Sequence, residues 1–270
     1  MQLPICQEIE LQLQGSVLHL TLNRPQARNA MNLALVQEVM SVFDAIAERR
    51  DIRAVVLRGS EGNFCAGGDI KDMASARQAY QQGQVDPLFE LNRAFGRMIT
   101  QVNNAPQVVI TLLEGAVLGG GLGLACIADI AIADINAQFG LPETSLGLPP
   151  AQIAPFVVDR IGLTQARRLV LTGARFNGYE ARELGLVHFV SDSPEKMDAL
   201  LEQQLQQIRC CAPEANRITK ALLLSVGKIE HEALLDQAAA QFSAAVMGEE
   251  GVEGTQAFVE KRAARWAQSA

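Results

Sequence analysis

Residues 108–133, VVITLLEGAVLGGGLGLACIADIAIA, contain the pattern that decides the fold. Val108 to Leu113 is an apolar run interrupted only by Thr111, the composition of a strand buried on both faces. Gly119 to Gly123 leads into a small-residue helix, Leu124 to Ile127, and Asp129 to Ala133 is apolar again. Strand, glycine turn, helix and strand in succession predict stacked βα or ββα units, and so an α/β protein.

The order repeats on the N-terminal side. Ala54 to Leu57 is a short strand, closed by the polar loop Arg58 to Asn63 and a second small-residue turn, Phe64-Cys65-Ala66-Gly67-Gly68-Asp69-Ile70. Earlier still, Glu8 to Gln14 and Val17 to Leu22 alternate polar and apolar residues around Gly15, the pattern of a strand pair. Asn32 is placed to cap a helix whose apolar residues Leu33, Val36, Met40, Phe43 and Ile46 recur at helical spacing. Met73 to Asp86, rich in Gln, Ala and Ser, reads as a mobile polar segment, whereas Leu88 to Val102 has helical periodicity. From about Pro194 onward the pattern is helical throughout. The expected organisation is a sheet-containing core over residues 1–195 and a helical C-terminal region over 196–270, packed together because no low-complexity linker separates them.

The bulk properties remove several classes of function. The 270 residues are 49% hydrophobic and 20% charged, ordinary for a globular protein. Lys and Arg number 23 against 30 Asp and Glu, a net charge of −7, which argues against a nucleic-acid partner because that role needs a basic surface. Cys6, Cys65, Cys126, Cys210 and Cys211 lack metal-ligand spacing and suit reduced thiols. The N-terminus lacks a basic segment followed by an apolar run, and no charge-free stretch reaches about 18 apolar residues. A soluble, cytoplasmic protein without membrane or nucleic-acid partners is expected. The histidines His19, His188 and His231 are scattered, so neither a metal site nor a Ser-His-Asp arrangement is predicted.

Three segments can carry chemistry. The glycine run at 119–123 lacks the Gly-Lys-Ser/Thr ending of a phosphate loop, and Leu124 breaks the GxGxxG spacing. It does offer bare N–H groups at a helix start, suited to an anion or developing oxyanion, or else close packing of the helix on a strand. The turn at 64–70 is a second small-residue loop after a strand. Glu143, after Pro142 and between apolar residues, is either a solvated loop residue or a partly buried base with a raised pKa. Glu114 is expected to brace its loop, and Asp69 and Asp129 to act in loops and caps.

Together these segments resemble the enoyl-CoA hydratase/isomerase (crotonase) superfamily. The matching residues are Leu22-Asn23-Arg24-Pro25 with Arg28-Asn29-Ala30, Phe64 to Met73, Gly115 to Gly121, Asp129 and Phe139 to Gly147. Leu171-Thr172-Gly173, Ala181 to Val187 and Ala257 to Arg262 extend the match over essentially the whole chain. The resemblance implies a spiral of ββα units with C-terminal helices that make a homotrimer or homohexamer. It implies an acyl-CoA thioester as substrate and no separate cofactor, coenzyme A being part of the substrate. Gly68 and Gly120 match the positions whose N–H groups hold the thioester oxygen, and Glu143 matches a catalytic glutamate. Arg28 would lie near the coenzyme A phosphates, and Ala30, Phe64, Ala66, Asp69, Ile70, Gly119 and Gly123 along the acyl-CoA site. Phe258 and Lys261 match positions that reach coenzyme A from the C-terminal region, sometimes across a subunit boundary.

The pattern departs from the family at two places. Hydratases of this kind use two glutamates, and the first would fall where this chain has Gly123. Glu143 would then work alone, or a substrate carboxylate would help position water in the space left by Gly123, or Glu143 would shuttle a proton as in enoyl-CoA isomerases. The second departure is Leu148-Pro149-Pro150-Ala151-Gln152-Ile153-Ala154-Pro155-Phe156, in place of the family's GG-TQ-type stretch. With it the chain resembles the isohexenylglutaconyl-CoA hydratases of acyclic terpene catabolism, whose enoyl-CoA carries a carboxymethyl arm and an isohexenyl tail. Gly123 would make room for that branching, and Leu148, Ile153 and Phe156 would face the tail. The rival readings are an enoyl-CoA Δ-isomerase, a methylglutaconyl-CoA hydratase, and a non-catalytic acyl-CoA-binding or RNA-binding relative.

Overall fold

A computed structural model describes residues 3–83 and 85–268. Its strands are β1 (Ile9–Gln14), β2 (Val17–Leu22), β3 (Ala54–Gly59), β4 (Val108–Leu113), β5 (Ala116–Leu118), β6 (Ile130–Asp134), β7 (Gln138–Gly140), β8 (Arg175–Phe176) and β9 (Phe189–Ser191). Six form one sheet in the order β1-β2-β3-β4-β6-β9, antiparallel only between β1 and β2. A smaller sheet, β5-β7-β8, stands apart from it. The helices are α1 (Leu33–Ile46), α2 (Ile70–Gln81), α3 (Pro87–Asn103), α4 (Gly120–Ile127), α5 (Ala154–Thr172), α6 (Gly178–Glu183), α7 (Pro194–Cys210), α8 (Pro213–Ser225), α9 (His231–Met247), α10 (Glu249–Val259) and α11 (Arg265–Gln268).

Register divides the large sheet into two faces, because successive side chains of a strand point to opposite sides. Leu18, Val55 and Val109 lie side by side and join the main core with Leu35, Val39 and Val42 of α1. Val56 and Ile110 form the other face with Ile132, covered by Met197, Leu201, Leu205 and Ile208 of α7. Each such side chain contributes about 1.5–3 kcal/mol relative to exposure. The predicted cap of α1 is present, the Asn32 side chain accepting from Leu35 N–H at 2.8 Å.

Two expectations are corrected. Part of the segment read as mobile and polar, residues 73–81, is helical. Asp69 caps α2 by accepting from Lys71 N–H (2.9 Å), and a run of Ala, Gln and Arg propagates a helix that buries none of its residues. The helix expected from Leu124 starts at Gly120, because the glycines belong to its first turn, and all eight of its residues are buried. The small sheet adds to the expected elements: β5, β7 and β8 have two or three residues each, too short for a periodicity to register.

Candidate active site

The site is built where two glycine turns abut. After β3 the chain passes beside β5, Cys65 N–H donating to Ala116 C=O (2.8 Å) and Leu118 N–H to Cys65 C=O (2.9 Å). It then pairs with Met31: Met31 N–H donates to Gly67 C=O (2.8 Å) and Asp69 N–H to Met31 C=O (3.0 Å). In an extended segment alternate peptides point to opposite sides, so the Gly68 N–H faces away from Met31. It has no acceptor among the described residues. Gly120 is the first residue of α4, where N–H groups have no intrahelical partner, and its N–H likewise has none among the described residues.

The two turns touch. A Cβ placed on Gly119 would lie 3.5 Å from Gly67 Cα, and one on Gly67 3.3 Å from Leu118 C=O. Gly67 (φ 103°) and Gly119 (φ 50°, ψ −118°) hold conformations that side chains disfavour, so glycine is required at both.

Glu143 completes the arrangement. It sits in the 3₁₀ turn Pro142–Leu146, ended by Gly147 in the left-handed region (φ 74°). That turn aims the carboxyl at the glycine run, and a Cβ on Gly119 would come within 2.7 Å of Glu143 Oε1. Glu143 Oε2 is buried and has no hydrogen-bond partner among the described residues. Burial pushes the Glu143 pKa above the usual carboxylate range, only partly offset by the main-chain hydrogen bond at the same residue. An acid side chain with a raised pKa beside two free N–H groups can move a proton next to a stabilised oxyanion.

Gly68, Gly120 and Glu143 all open onto a cavity of about 380 Å³. Leu88, Leu91 and Phe95 of α3 form one apolar wall, and residues 148–153 close another side. Asp69 also lines it. Arg24 holds Asp69 at 2.9 Å, and although burial raises the Asp69 pKa, the Lys71 N–H and the Arg24 guanidinium leave it lowered.

Other predicted residues fall outside the cavity. Phe64 is fully buried in the core, and Ile70 is exposed at the start of α2. Ala66 N–H donates to Arg28 C=O (3.0 Å), and the Ala30 carbonyl accepts from Arg24, so the loop after β2 is stitched to the turn after β3. Asn29 secures the same loop, its amide donating to Ser60 C=O (3.0 Å) and Asn63 C=O (2.6 Å). The Arg28 side chain is exposed beside this loop. Phe258 and Lys261 are exposed at the end of α10 and do not reach the cavity within this chain. Glu114 pairs with Arg58 at 3.1 Å.

Gly123 differs from expectation. It leaves no space, because a Cβ there would lie 3.1 Å from both Ile153 Cγ2 and Ile99 Cδ1, and those side chains fill the position of the missing glutamate. Leu148 and Ile153 line the cavity as expected, whereas Phe156 packs against the core. Sequence reasoning missed Asn92 and Gln152, which also line it.

The sequence matches the enoyl-CoA hydratase/isomerase family model over residues 12–269. It is 32% identical over 256 residues to the 2,3-dehydroadipyl-CoA hydratase of Escherichia coli K12, covering 94% of this chain and 96% of that one. Among solved structures, Pseudomonas aeruginosa AtuE superposes with a TM-score of 0.94 at 58% identity, covering 97% of this chain and all (100%) of that one. An enoyl-CoA hydratase/isomerase from Marinobacter aquaeolei gives a TM-score of 0.93 at 54% identity with the same coverage, 97% and 100%. With this α/β crotonase fold and the family match over nearly its whole length, the chain belongs to the enoyl-CoA hydratase/isomerase family.

Proposed function

We propose that the chain is a hydro-lyase adding water to a branched, carboxylated enoyl-CoA, isohexenylglutaconyl-CoA, in acyclic terpene catabolism. The observation that carries the reading is the Glu143 carboxyl, its buried Oε2 without a partner, beside two free N–H groups at the head of an apolar cavity. The thioester oxygen sits between Gly68 N–H and Gly120 N–H, and takes up negative charge as water adds at the β-carbon. Glu143, ionised, accepts the proton of the attacking water and returns it to the α-carbon on the same face. With Ile153 and Ile99 over Gly123, no second carboxylate of the chain stands there, so one group serves both proton transfers. The apolar wall at 148–153 suits the isohexenyl tail.

The coenzyme A runs along the loop after Asn23 with Arg28 toward its phosphates. Phe258 and Lys261 belong to a helical region after residue 195 that assembles trimers or hexamers, from which they reach the coenzyme A of a neighbouring subunit. No separate cofactor is used.

Assay of the purified protein with isohexenylglutaconyl-CoA and crotonyl-CoA tests the substrate. Preference for the branched thioester is expected, and preference for crotonyl-CoA overturns the assignment. A second reading, an enoyl-CoA Δ-isomerase, is favoured by Glu143 having no second glutamate opposite it at Gly123. Product free of ¹⁸O after turnover in labelled water selects it.

A further inference from the structure

The rim of the acyl cavity is acidic. Asp69, Asp72 and Glu143 all line it; Asp69 is paired with Arg24, and Asp72 Oδ2 accepts from Leu33 N–H at 2.8 Å. An acyl group carrying a second carboxylate enters a field of like charge unless a cation faces it.

α3 carries a cation bonded to a residue of the cavity wall. Arg93 is half-buried, and its Nη1 donates to Gln152 Oε1 at 2.5 Å. Gln152 in turn donates through Nε2 to Asn92 Oδ1 at 2.9 Å, and both amides line the cavity. Other half-buried arginines face carboxylates, as Arg24 and Arg58 do, or donate to two or more main-chain carbonyls, as Arg53 and Arg160 do. Arg93 has only the neutral amide. Among the described residues no carboxylate lies within ion-pair distance of it, and its remaining N–H donors have no acceptor. Its remaining donors are not buried and are open to an anion that comes within reach.

Gly96 makes the arrangement possible. A Cβ there would overlap Gln152 Oε1 and lie 2.7 Å from Arg93 Nη1. The glycine costs helix propensity in the middle of α3, and what fills the space it leaves is this polar pair.

On the reading of the substrate as a carboxylated, branched enoyl-CoA, we propose that Arg93 is the specificity residue that receives the second carboxylate. Gln152, which lines the cavity, acts as the positioning residue that holds the guanidinium just behind the wall. The carboxylate takes Arg93's unused donors, and the planar fork suits a two-point contact.

Two unreactive thioesters isolate the effect, because 3-methylglutaryl-CoA and isovaleryl-CoA share a skeleton and differ by one carboxylate. Titration calorimetry on the intact protein is expected to show wild type binding 3-methylglutaryl-CoA about 10–100-fold more tightly. Arg93→Ala should remove that preference and leave isovaleryl-CoA affinity unchanged, and Arg93→Lys should keep part of it. Gln152→Glu, which neutralises Arg93 from within and retains the wall, should weaken 3-methylglutaryl-CoA alone. Equal weakening of both ligands in Arg93→Ala overturns the inference in favour of a structural role. A preference that survives Arg93→Ala overturns it while the carboxylated substrate stands. If wild type binds the two alike, the carboxylated-substrate reading fails with it.

Discussion

Three substitutions separate the roles of the residues at the glycine turns. Glu143→Gln keeps the shape of the side chain and removes its basicity, so kcat/KM should fall roughly 10²–10⁴-fold with the melting temperature nearly unchanged. The free carboxyl titrates above its ordinary range because burial disfavours the charged form. Activity that needs the ionised base is then present at high pH and lost as pH falls through this raised value. The acid limb of the kcat/KM profile should therefore lie above the ordinary glutamate pKa of about 4.3 and disappear in the Gln variant. Gly120 permits a cleaner test of a main-chain donor. Proline is tolerated at the first helical position and has no N–H, whereas alanine adds the same Cβ and keeps it. Both place a Cβ 2.5 Å from Met31 Cε and 3.2 Å from the Phe95 ring, so that part of the cost is shared, while proline also puts its ring Cδ where the N–H pointed. Gly120→Pro should lose about a further 10²–10³ in kcat beyond Gly120→Ala, and equal losses would show that the N–H does not hold the oxyanion.

At the scale of elements, α4 and the 148–153 wall act as one packed unit through Gly123. Restoring the family's carboxylate as Gly123→Glu forces a charged side chain into Ile153 and Ile99, each 3.1 Å from where its Cβ would be. Overpacking alone should cost roughly 1–3 kcal/mol, read as a lower denaturant midpoint with an unchanged slope. A stable, more active variant would mean the wall gives way. This unit also shows the limits of the sequence. The glycine run and Glu143 were legible because backbone needs leave a local mark, small residues at turns and an acid between apolar neighbours. The filling of Gly123 was not, since Ile99 and Ile153 lie far away along the chain and meet only in three dimensions. Arg93 was hidden within the amphipathic pattern of α3, where Gly96 was the one local sign of a close approach. The start of α4 was misread because glycine signals a turn unless burial on every side supports a helix.

Across the whole molecule, the C-terminal helices are tied to the sheet yet present apolar side chains outward. Lys220 of α8 bonds Asp129 Oδ2 (2.7 Å) and Gln107 C=O (3.1 Å), while Asp129 also accepts from Val109 N–H at 2.7 Å, just after the loop that leads into β4. Trp266 Nε1 donates to Cys210 C=O at 3.2 Å, and the Arg53 guanidinium caps carbonyls at the end of α7. The backbone of this region is thus well anchored, so its exposed side chains are not the product of fraying. Phe242 is 71% exposed, Met247 80% and Phe258 85%, with Leu223, Val226 and Val259 also outward. Exposed apolar side chains concentrated in one region of a folded chain indicate a surface that associates. Closed rings of three bury such a surface on every copy, and pairing of two rings gives six. With the trimer or hexamer that the family resemblance implies, sedimentation equilibrium should report three or six chains, and Phe242→Asp should shift the protein toward single chains without unfolding it. Because Phe258 and Lys261 do not reach the cavity of their own chain, coenzyme A affinity should fall with that dissociation. A wild-type protein that sediments as one chain with full thioester affinity would place both residues outside the site.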